Sequence, residues 1–589
     1  MNRIKLDLGK SVTGKTWYKM NTCHRTVEAI SQKYDLPIQV AEALSARGVT
    51  LENVESFLSA DIKTHLPDPN ILADMETMVD SLSAVIENGD AIGIFGDYDV
   101  DGATSTALLY KYLTALGIVV HFHIPDRASE GYGPNLPALH ALKEKGCAII
   151  VCVDCGTTAF DVLNTANEQG INMAVIDHHM AEPTLPSVCA LVNPNRIDDI
   201  SGLGHLCGAG VVFCVLVGLN RRLREKGFLV GKKPINLLSL LDLVALGTVC
   251  DVMQLKGLNR AFVRQGLKIL SSRNNVGLRC LSDISGIESV PTAYHLGFVL
   301  GPRLNAGGRI GASDLATNLL LNNNLTDAMT IANKLNDLNK ERQEIEEMAV
   351  FEAIQQVEQA GADYGNFICV SSKDWHSGII GIVAGRLKEI FNKPVVAITF
   401  KDDVGKGSGR SVDGVDLGAI IVASRQLGVV ESGGGHAAAA GLSILPDKLV
   451  EFCYFVNERI KKDLAGKQLE QPNIIDSVLS PEGLNVDLCK KLSQLEPFGM
   501  GNREPKFVLK DVIITSVKVL KDRHISFYIK NPLGGAGIKA ICFKCVNTPL
   551  GDVLLENKNS GTISISGKAR LDTWNGAEKV QFLIDDAVV

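Results

Sequence analysis

The sequence has 589 residues, 46% hydrophobic and 21% charged, which is the composition of a globular protein with roughly three to four domains. Its longest apolar runs fall far short of the ~18 residues that a membrane span requires, and the N-terminus lacks the apolar segment of a secretion signal, so we expect a cytoplasmic protein without membrane contact. The net charge of −7 excludes a uniformly basic nucleic-acid coat but not a local basic channel, because phosphate contacts depend on local lysine and arginine density.

Residues 1–70 are predicted to be an N-terminal helical segment, from the apolar spacing of Val27, Ile30 and Tyr34. Within this segment, residues 9–16 read GKSVTGKT and satisfy the P-loop pattern. A P-loop requires a buried strand before it and a helix after it. Residues 4–8 alternate like an exposed edge strand, and residues 17–23 are a poor helix start, so we expect no nucleotide site here.

Residues 71–324 are predicted to form an α/β domain with a parallel sheet. Helical patterns there alternate with continuous apolar runs at residues 91–95, 148–153, 173–176 and 243–249, which is typical of strands covered on both faces. Ligands of such sheets bind beyond the carboxyl ends of the strands. An acidic residue ends or follows each run, and these residues are Asp97, Asp154, Asp177 and Asp251.

These strand ends carry the residues of a predicted metal site. Asp97, Asp99 and Asp101 alternate in the sequence GDYDVDG and would repel one another unless a cation lay among them, although a solvated turn is the alternative. His178 and His179 directly follow Asp177 at another strand end. Carboxylates mixed with an imidazole suit Mn²⁺ or Mg²⁺ better than zinc. The surplus of carboxylates predicts two ions with a shared ligand, the arrangement that hydrolyses phosphoesters.

The second half of the chain is predicted to hold three further parts. Residues 325–360 follow a helical pattern with a charged middle and are expected to form a connecting helix. Residues 361–465 are a second α/β domain, and residues 470–589 contain short, well-spaced β-type runs that predict an OB-like β-barrel. Aromatic residues of the barrel could stack bases, with Phe507 and Phe527 expected in its core instead; the other aromatic candidates are Phe498, Tyr528 and Trp574.

Three glycine-rich segments are predicted to bind phosphate. They read GPRLNAGGR from residue 301, GSGRS from residue 407 and GGGH from residue 433, and we expect loops in which backbone N–H groups converge on an anion next to an Ala-rich helix start. Arginine adds bidentate contacts, while a tight turn is the alternative for each loop alone. The predicted phosphate- and DNA-binding residues are Arg127, Arg303, Asn305, Arg309, His376, Ser408, Arg410, Gly434 and His436.

The order DYDVDG, VDCG, DHH and GTVCD resembles the four motifs of the DHH phosphoesterase superfamily. The resemblance implies a DHH catalytic domain followed by a DHHA1 domain, with Asp154 bridging two metal ions and His179 facing the scissile phosphate. It also implies that Asp177 orients the histidine pair. The implied ligands of one ion are Asp97, Asp99 and Asp154, and those of the other are Asp101, Asp154, His178 and Asp251.

The stretches PRLNAxGR, SxDWHxGIxGIVA and GSGRS narrow the resemblance to the RecJ-type exonucleases, over about residues 30–589. This resemblance implies 5′→3′ digestion of single-stranded DNA to 5′-mononucleotides, in DNA repair and recombination. It places Arg127, Arg410 and GGGH at the 5′-terminal nucleotide. It further implies contact with single-strand-binding protein and a helicase.

Two other functions remain to be separated from the nuclease. A small-substrate DHH hydrolase would be shorter and would lack the β-domain after residue 470. A non-catalytic DNA-binding scaffold would have lost metal ligands, all of which are present here. The cysteine pairs Cys152–Cys155 and Cys542–Cys545 could form a zinc site only across almost the whole chain, so we expect reduced thiols.

Overall fold

We analysed the protein in a computed structural model. It describes residues 3–127, 129–232, 235–361, 365–401, 403–466, 469–557, 561–572 and 578–589. The chain forms two compact units. The first contains residues 1–308, 312–334 and 472–589, and the second contains residues 309–311 and 335–471. Within the described ranges, no helix is both long and apolar enough to cross a membrane.

The predicted parallel sheet is present in the first unit. Its strands, in spatial order, are Val120–His123, Ala91–Gly96, Cys147–Val153, Met173–Ile176 and Ala190–Val192, and neighbouring strands all pair in parallel. The helix Met75–Asn88 precedes the first strand, and the helices Val100–Ala115, Leu136–Glu144 and Phe160–Glu168 connect successive strands. The carboxyl ends of the strands therefore meet along one edge, as predicted from their continuous apolar runs.

The prediction of a fourth strand at residues 243–249 was wrong, because these residues lie in the helix Leu241–Cys250. This helix packs against Val100–Ala115, Gly208–Glu225 and Gly257–Ser271 and is buried on almost every side. A helix that is apolar all round has no helical periodicity in its sequence, so its short apolar run looked like a buried strand. The remaining helices of this region are Val276–Ile284, the π-helix His295–Leu300, Gly301–Ile310, Leu315–Leu321 and Leu325–Ala360, with a 3₁₀ turn at Leu237–Leu240.

The C-terminal β-barrel is also confirmed. Its five strands run in the order Phe507–Leu520, His524–Asn531, Gly534–Cys542, Lys579–Val588 and Ile563–Asp572, and the last pairs with the first to close the barrel. Phe507 and Phe527 are buried in its core, as expected, whereas Tyr528 is exposed. Trp574 lies outside the described residues. Strand Ser477–Leu479 extends the sheet, and the barrel region adds the helices Val486–Ser493 and Pro549–Glu556 and a 3₁₀ turn at Pro481–Gly483.

The N-terminal segment shares its core with this barrel. Its helices are His24–Tyr34, Ile38–Ser45, Val54–Ser59 and Ile62–His65, followed by a 3₁₀ turn at Pro69–Ile71. One hydrophobic cluster joins Val27, Ile30 and Leu44 of these helices to Phe527 and Phe582 of the barrel. The segment also contains two strands. Arg3–Lys5 is exposed and overlaps residues 4–8, which alternate like an edge strand, whereas Thr16–Met20 was not predicted and pairs in parallel with Pro472–Ile475.

The P-loop-like residues have a structural role at this junction. The strand Thr16–Met20 stands where a P-loop needs a helix. The buried carboxylate of Asp586 accepts hydrogen bonds from Ser11 Oγ at 2.5 Å and Trp17 Nε1 at 2.7 Å, and the Thr13 N–H donates to it at 3.2 Å. Residues 11–17 are thereby fixed to the last strand of the barrel.

We expect Asp586→Asn to destabilise the protein by about 1–3 kcal/mol, because an amide cannot accept all of these hydrogen bonds and leaves buried donors unsatisfied. Urea unfolding measures the change. The matched control is Asp522→Asn, which alters an exposed turn residue of the same barrel and should change the stability little. Equal stability of Asp586→Asn and the control would contradict a structural role for Asp586.

The second unit is built on a mixed sheet. Its strands run in the order Ser432–His436, Ala439–Ile444, Val404–Arg410, Val395–Lys401 and Ile368–Ser372, with only the last pair parallel. Helices Ile380–Phe391, Leu417–Gln426 and Leu449–Leu464 and a 3₁₀ turn at Pro446–Lys448 complete it, and the predicted long helix, Leu325–Ala360, leads into it.

The glycine-rich segments are not the loops that we expected. GSGR lies in the strand Val404–Arg410, GGGH forms the strand Ser432–His436, and the alanines after it lead into another strand rather than a helix. The third segment, GPRLNAGGR, lies in the helix Gly301–Ile310. Glycine weakens both kinds of element when it is considered alone, so pairing and packing within the fold have overridden its local preference.

Candidate metal centre and phosphate-binding face

The loop after strand Ala91–Gly96 presents the first three carboxylates. Asp99 caps the helix Val100–Ala115, accepting the Gly102 N–H at 3.0 Å, and Asp101 lies in its first turn. A Cβ at Gly102 would come within 2.4 Å of the Asp97 carbonyl oxygen, so only glycine permits this close return of the chain. The alternating carboxylates are therefore held by a tight strand-to-helix turn and not by a solvated loop.

Asp154 follows the neighbouring strand in a left-handed conformation, with φ at 60°. Its carboxylate approaches the start of helix Gly208–Glu225, where a Cβ on Gly208 would lie 2.8 Å from Asp154 Oδ1. The same helix start donates the N–H groups of Gly208 and Ala209 to Asp101, at 2.6 and 3.0 Å. Backbone N–H groups at a helix N-terminus partly neutralise a carboxylate, which fixes Asp101 in place.

His178 lies at the centre of the cluster. Its Nε2 atom is 3.1 Å from Asp154 Oδ1, 3.5 Å from Asp251 Oδ2 and 3.8 Å from Asp101 Oδ2. Asp251 comes from the end of helix Leu241–Cys250, not from a strand. Among the described residues, three compact sets of potential ligand atoms result: Asp97, Asp99 and Asp154; Asp101, His178 and Asp251; and Asp154, His178 and His179.

The concentration of carboxylates in the cluster favours the binding of cations. Burial raises the pKa of Asp154 well above its usual value, and the charges of Asp101 and Asp99 raise it further. The pKa values of Asp97 and Asp251 are raised by the same two causes, burial first and neighbouring carboxylates second. Asp154 Oδ1 and Asp251 Oδ2 are buried, yet no described residue gives them a hydrogen bond of suitable geometry. Buried oxygen ligands with unmet charge fit hard divalent cations such as Mn²⁺ or Mg²⁺.

Asp177 organises both histidines. One of its oxygens accepts the backbone N–H of His178 at 2.7 Å and lies 2.7 Å from His179 Nδ1, while the other accepts the Thr157 N–H at 3.0 Å. Burial lowers the pKa of His179, but its hydrogen bond to Asp177 and the carboxylate charge outweigh this effect and raise the pKa to about 9. The Tyr132 hydroxyl lies 3.3 Å from His179 Nε2.

Sequence reasoning missed several residues that hold this motif. Asn193 donates to the His179 carbonyl oxygen at 2.8 Å, and Asn195 donates to the His178 carbonyl oxygen at 2.5 Å. Asn193 is fully buried after strand Ala190–Val192. The sequence NPN that follows this strand was an available signal, since polar residues at a strand end mark the ligand edge of a parallel sheet.

Two arginines predicted to bind phosphate belong to the first unit with the cluster. The Arg127 guanidinium lies 5.4 Å from the centre of the Tyr98 ring, and its charge lowers the pKa of Asp97 against the effect of burial. Arg303 Nη1 donates to the Val299 carbonyl oxygen at 2.7 Å. Arg303 and Asn305 are on helix Gly301–Ile310.

The glycines of this helix permit close packing instead of loop flexibility. A Cβ on Gly301 would lie 2.5 Å from Cys250 Sγ, and one on Gly308 would lie 2.6 Å from the Tyr98 carbonyl oxygen. The helix therefore lies directly against the residues next to Asp97 and Asp251.

The other predicted phosphate-binding residues lie in the second unit. Strand pairing forms two neighbouring rows across three strands. One row contains Ser408, Gly441 and Gly434, and the next contains Arg410, Ala439 and His436. Directly paired residues share one face of a sheet, so all six project on the same side. No atom lies within 4 Å of a Cβ built on Gly434, which leaves a flat face beside the row that contains Arg410 and His436.

Arg309 and His376 meet at another place in this unit. Arg309 Nη1 donates to the Gly378 carbonyl oxygen at 2.8 Å, and the Gly378 N–H donates to His376 Nδ1 at 3.1 Å. Helix Ile380–Phe391 starts just after these residues, and a Cβ on its Gly381 would lie 3.0 Å from Arg410 Nη2 and from Ser408 Oγ. The start of this helix thus lies beside the Ser408–Arg410 end of the flat face.

Comparisons with known proteins agree with this architecture. Residues 91–248 match the model of the DHH family N-terminal domain, residues 365–462 that of the DHHA1 domain, and residues 475–586 that of the RecJ OB domain. The fold and its acidic edge thus define a protein of the DHH class. Among similar proteins are the single-stranded-DNA-specific exonucleases RecJ of Bacillus subtilis, 32% identical over 96% of this chain and 69% of that protein, and of Dickeya dadantii, 33% identical over 93% and 96%. The chain belongs to this RecJ exonuclease family.

Solved structures of the family also superpose on the chain. RecJ from Thermus thermophilus in complex with Mn²⁺ matches with a TM-score of 0.80 and 26% identity, covering 97% of this chain and 79% of that one. An exonuclease RecJ bound to manganese matches with a TM-score of 0.57 and 31% identity, covering 69% of this chain and 98% of the other.

Proposed function

We propose that the protein is a 5′→3′ exonuclease that digests single-stranded DNA to 5′-mononucleotides with two bound Mn²⁺ or Mg²⁺ ions. The observation that carries this proposal is the cluster of five buried or half-buried carboxylates around His178 and Asp154, in which two buried carboxylate oxygens have no hydrogen bond from the described residues. The family relatives support the substrate, because their names specify single-stranded DNA.

In this proposal Asp97, Asp99 and Asp154 hold one ion, and Asp101, Asp154, His178 and Asp251 hold the other. Asp154 would be the shared ligand, which its place in two of the compact ligand sets and its distance of 3.1 Å from His178 support. Ions bound in such a pair activate water and stabilise the charge of an in-line phosphoryl transition state. The backbone N–H groups of Gly208 and Ala209 keep Asp101 in a fixed orientation for its ligand role.

His179 is proposed to contact the scissile phosphate. Asp177 fixes the ring through Nδ1 and favours its protonated form, so Nε2 carries a hydrogen that can be donated to a phosphate oxygen. Asn193 and Asn195 hold the backbone of the histidine pair, so they act as positioning residues.

The test of the proposed function uses single strands labelled at either the 5′ or the 3′ end and incubated with Mn²⁺. We expect the 5′ label to appear first as a mononucleotide, and duplex DNA of the same sequence to be degraded far more slowly. Early loss of the 3′ label, or equal activity on the duplex, would refute the polarity or the strand preference.

We propose that the face carrying Ser408, Arg410, Gly434 and His436 holds the 5′-terminal phosphate. Glycines leave room for the phosphate, and Arg410 supplies a charge whose orientation is fixed by hydrogen bonds to Ser408 Oγ and the Gly409 carbonyl oxygen. Arg127, Arg303, Asn305, Arg309 and His376 are proposed as further phosphate contacts.

Arg410→Ala should raise KM for 5′-phosphorylated strands about 10- to 100-fold, since a hydrogen bond to a charged group contributes about 1.5–3 kcal/mol. Steady-state kinetics on 5′-phosphorylated and 5′-hydroxyl strands measure the effect, and the difference between the two substrates should shrink. Arg425→Ala, at an exposed arginine of helix Leu417–Gln426, is the control. A full preference for the phosphorylated strand in Arg410→Ala would show that Arg410 does not bind this phosphate.

Several broader assignments belong to the same proposal. We divide the chain into an N-terminal helical segment (1–70), a DHH catalytic domain (71–324), a connecting helix (325–360), a DHHA1 domain (361–465) and an OB-fold domain (470–589). We also propose a cytoplasmic location and contact with single-strand-binding protein and a helicase, in DNA repair and recombination. These assignments follow from the family resemblance.

A further inference from the structure

Two aromatic rings that the proposed mechanism does not use, Tyr294 and Phe298, lie together on the surface of the first unit. Their side chains are 61% and 71% exposed. The ring centres are 5.2 Å apart and the planes are inclined by only 23°, so the rings are stacked on each other. Leaving two large apolar rings in water forgoes the free energy of burying them, and a contiguous exposed pair indicates a binding surface.

The backbone beneath these rings is fixed to the candidate metal centre. Tyr294 directly precedes the π-helix His295–Leu300, a rare element that is often found at functional sites. Leu296 and Leu300 of this helix are buried. The Leu296 carbonyl oxygen accepts a hydrogen bond from Cys250 Sγ at 3.5 Å, and Cys250 adjoins the proposed ligand Asp251. The exposed rings are thus carried by a segment anchored one residue from the cluster.

Two arginines interact with the segment that carries the ring pair. Arg303 follows in the adjoining helix, where it bonds to the Val299 carbonyl oxygen. On the barrel, Arg570 is hydrogen-bonded to Glu504 at 2.8 and 2.9 Å, which raises the pKa of Arg570, and an electrostatic interaction with Tyr294 also raises this pKa. The segment that carries the rings therefore leads directly into the helix that carries Arg303, and its Tyr294 interacts with the barrel strand Ile563–Asp572.

We propose that Tyr294 and Phe298 form a stacking platform for a base of the bound single strand, on its path between the metal centre and the barrel. The proposal rests on the proposed nuclease function. Stacking on an aromatic ring accepts any base, because every base has a π-face, and the flanking arginines suit the phosphates on either side. The attachment of the pair next to the catalytic cluster, and the interaction of Tyr294 with Arg570 on a nucleic-acid-binding type of barrel, favour a nucleic-acid strand over a protein partner.

The test compares wild type with Tyr294→Ala, Phe298→Ala and the double variant. Fluorescence anisotropy with long oligonucleotides in EDTA measures binding, and kinetics with Mn²⁺ measure KM for the same strands and for trinucleotides. We expect the double variant to bind long strands about tenfold or more weakly, as is usual for a lost base–aromatic stack. The rate on trinucleotides should fall far less. Both rings are exposed, so thermal unfolding should show unchanged stability.

A scan with single abasic positions distinguishes base stacking from other effects. In wild type, removing the base that lies on the platform should weaken binding about as much as the double variant does. The same abasic position should lower the affinity of the double variant little, because the stacking interaction is already lost. Phe298→Trp should retain tight binding, and the dependence of affinity on salt should have the same slope in all variants, since no phosphate contact changes.

Tyr454→Ala is the matched control, because Tyr454 is a 71% exposed tyrosine on helix Leu449–Leu464 of the other unit. Wild-type affinity in the double variant, or an abasic effect of equal size in both proteins, would overturn the platform. If the double variant kept its affinity for single strands but no longer bound a protein partner, the platform would also be overturned, and the rings would be assigned to that partner. If wild type itself neither bound nor cleaved single strands, the proposed function would fail instead.

Discussion

Asp154→Asn should reduce the rate of single-strand digestion by at least about 10³-fold while single-strand binding remains measurable. Asparagine keeps the size of the side chain but removes the charge of the only residue proposed to contact both ions. Each lost factor of ten corresponds to about 1.4 kcal/mol of transition-state stabilisation, and loss of a shared metal ligand affects both sites at once. Single-turnover digestion with Mn²⁺ measures the rate, and anisotropy measures binding.

The stability of this variant gives an independent readout. Asp154 is buried among Asp97, Asp99, Asp101 and Asp251, and their charges raise its pKa. Removing one negative charge relieves repulsion, so we expect Tm in EDTA to stay the same or rise. The increase in Tm that Mn²⁺ produces in wild type should become much smaller. Asp161→Asn changes an exposed carboxylate in the first turn of helix Phe160–Glu168, which follows the same strand, and should behave as wild type. Near-wild-type cleavage by Asp154→Asn would show that Asp154 is not a bridging ligand.

Removing divalent metal with EDTA should abolish digestion, and Mn²⁺ or Mg²⁺ should restore it. Bound ions would supply the activation of water, and the buried oxygens of Asp154 and Asp251, which have no described hydrogen-bond donor of suitable geometry, are free to serve as their ligands. Removal should also lower Tm, because an ion at 100 times its dissociation constant stabilises the folded state by about 2.7 kcal/mol. Activity assays and thermal unfolding of the same samples measure both effects.

Metal content tests the number of ions. Elemental analysis of the dialysed protein should find two Mn²⁺ per chain in wild type and fewer in Asp251→Asn, which removes a ligand from one proposed site only. Full activity of a sample shown to be metal-free would contradict the metal-dependent mechanism, and a single ion per fully active wild-type chain would contradict the shared-ligand arrangement.

The shared core of the N-terminal segment and the barrel changes how the barrel can be tested. From the sequence, deletion of residues 470–589 was the obvious way to measure its contribution to strand binding. The structure shows that this deletion would expose Val27, Ile30 and Leu44 and would remove Asp586, the acceptor for Ser11 and Trp17. Point substitutions such as those at Tyr294 and Phe298 avoid this loss of core.

The sequence by itself determined the family, three strands of the parallel sheet and the proposed ligands from Asp97 to His178. These features could be predicted because each is local: a continuous apolar run marks a buried strand, and the carboxylates and histidines follow it within a few residues. Since parallel strands end along one edge, residues far apart in the sequence were expected to converge there. The connecting helix Leu325–Ala360 and the burial of Phe507 and Phe527 were predictable for the same local reason.

Only the tertiary structure decided which element presents Asp251, how the glycine-rich segments are folded and what the N-terminal strands pair with. The helix Leu241–Cys250 is apolar all round because three helices surround it, and GGGH is a strand because Ala439–Ile444 pairs with it. The strand Thr16–Met20 pairs with residues more than 450 positions away. Burial and strand pairing of this kind depend on contacts between distant segments, and such contacts cannot be predicted from local periodicity.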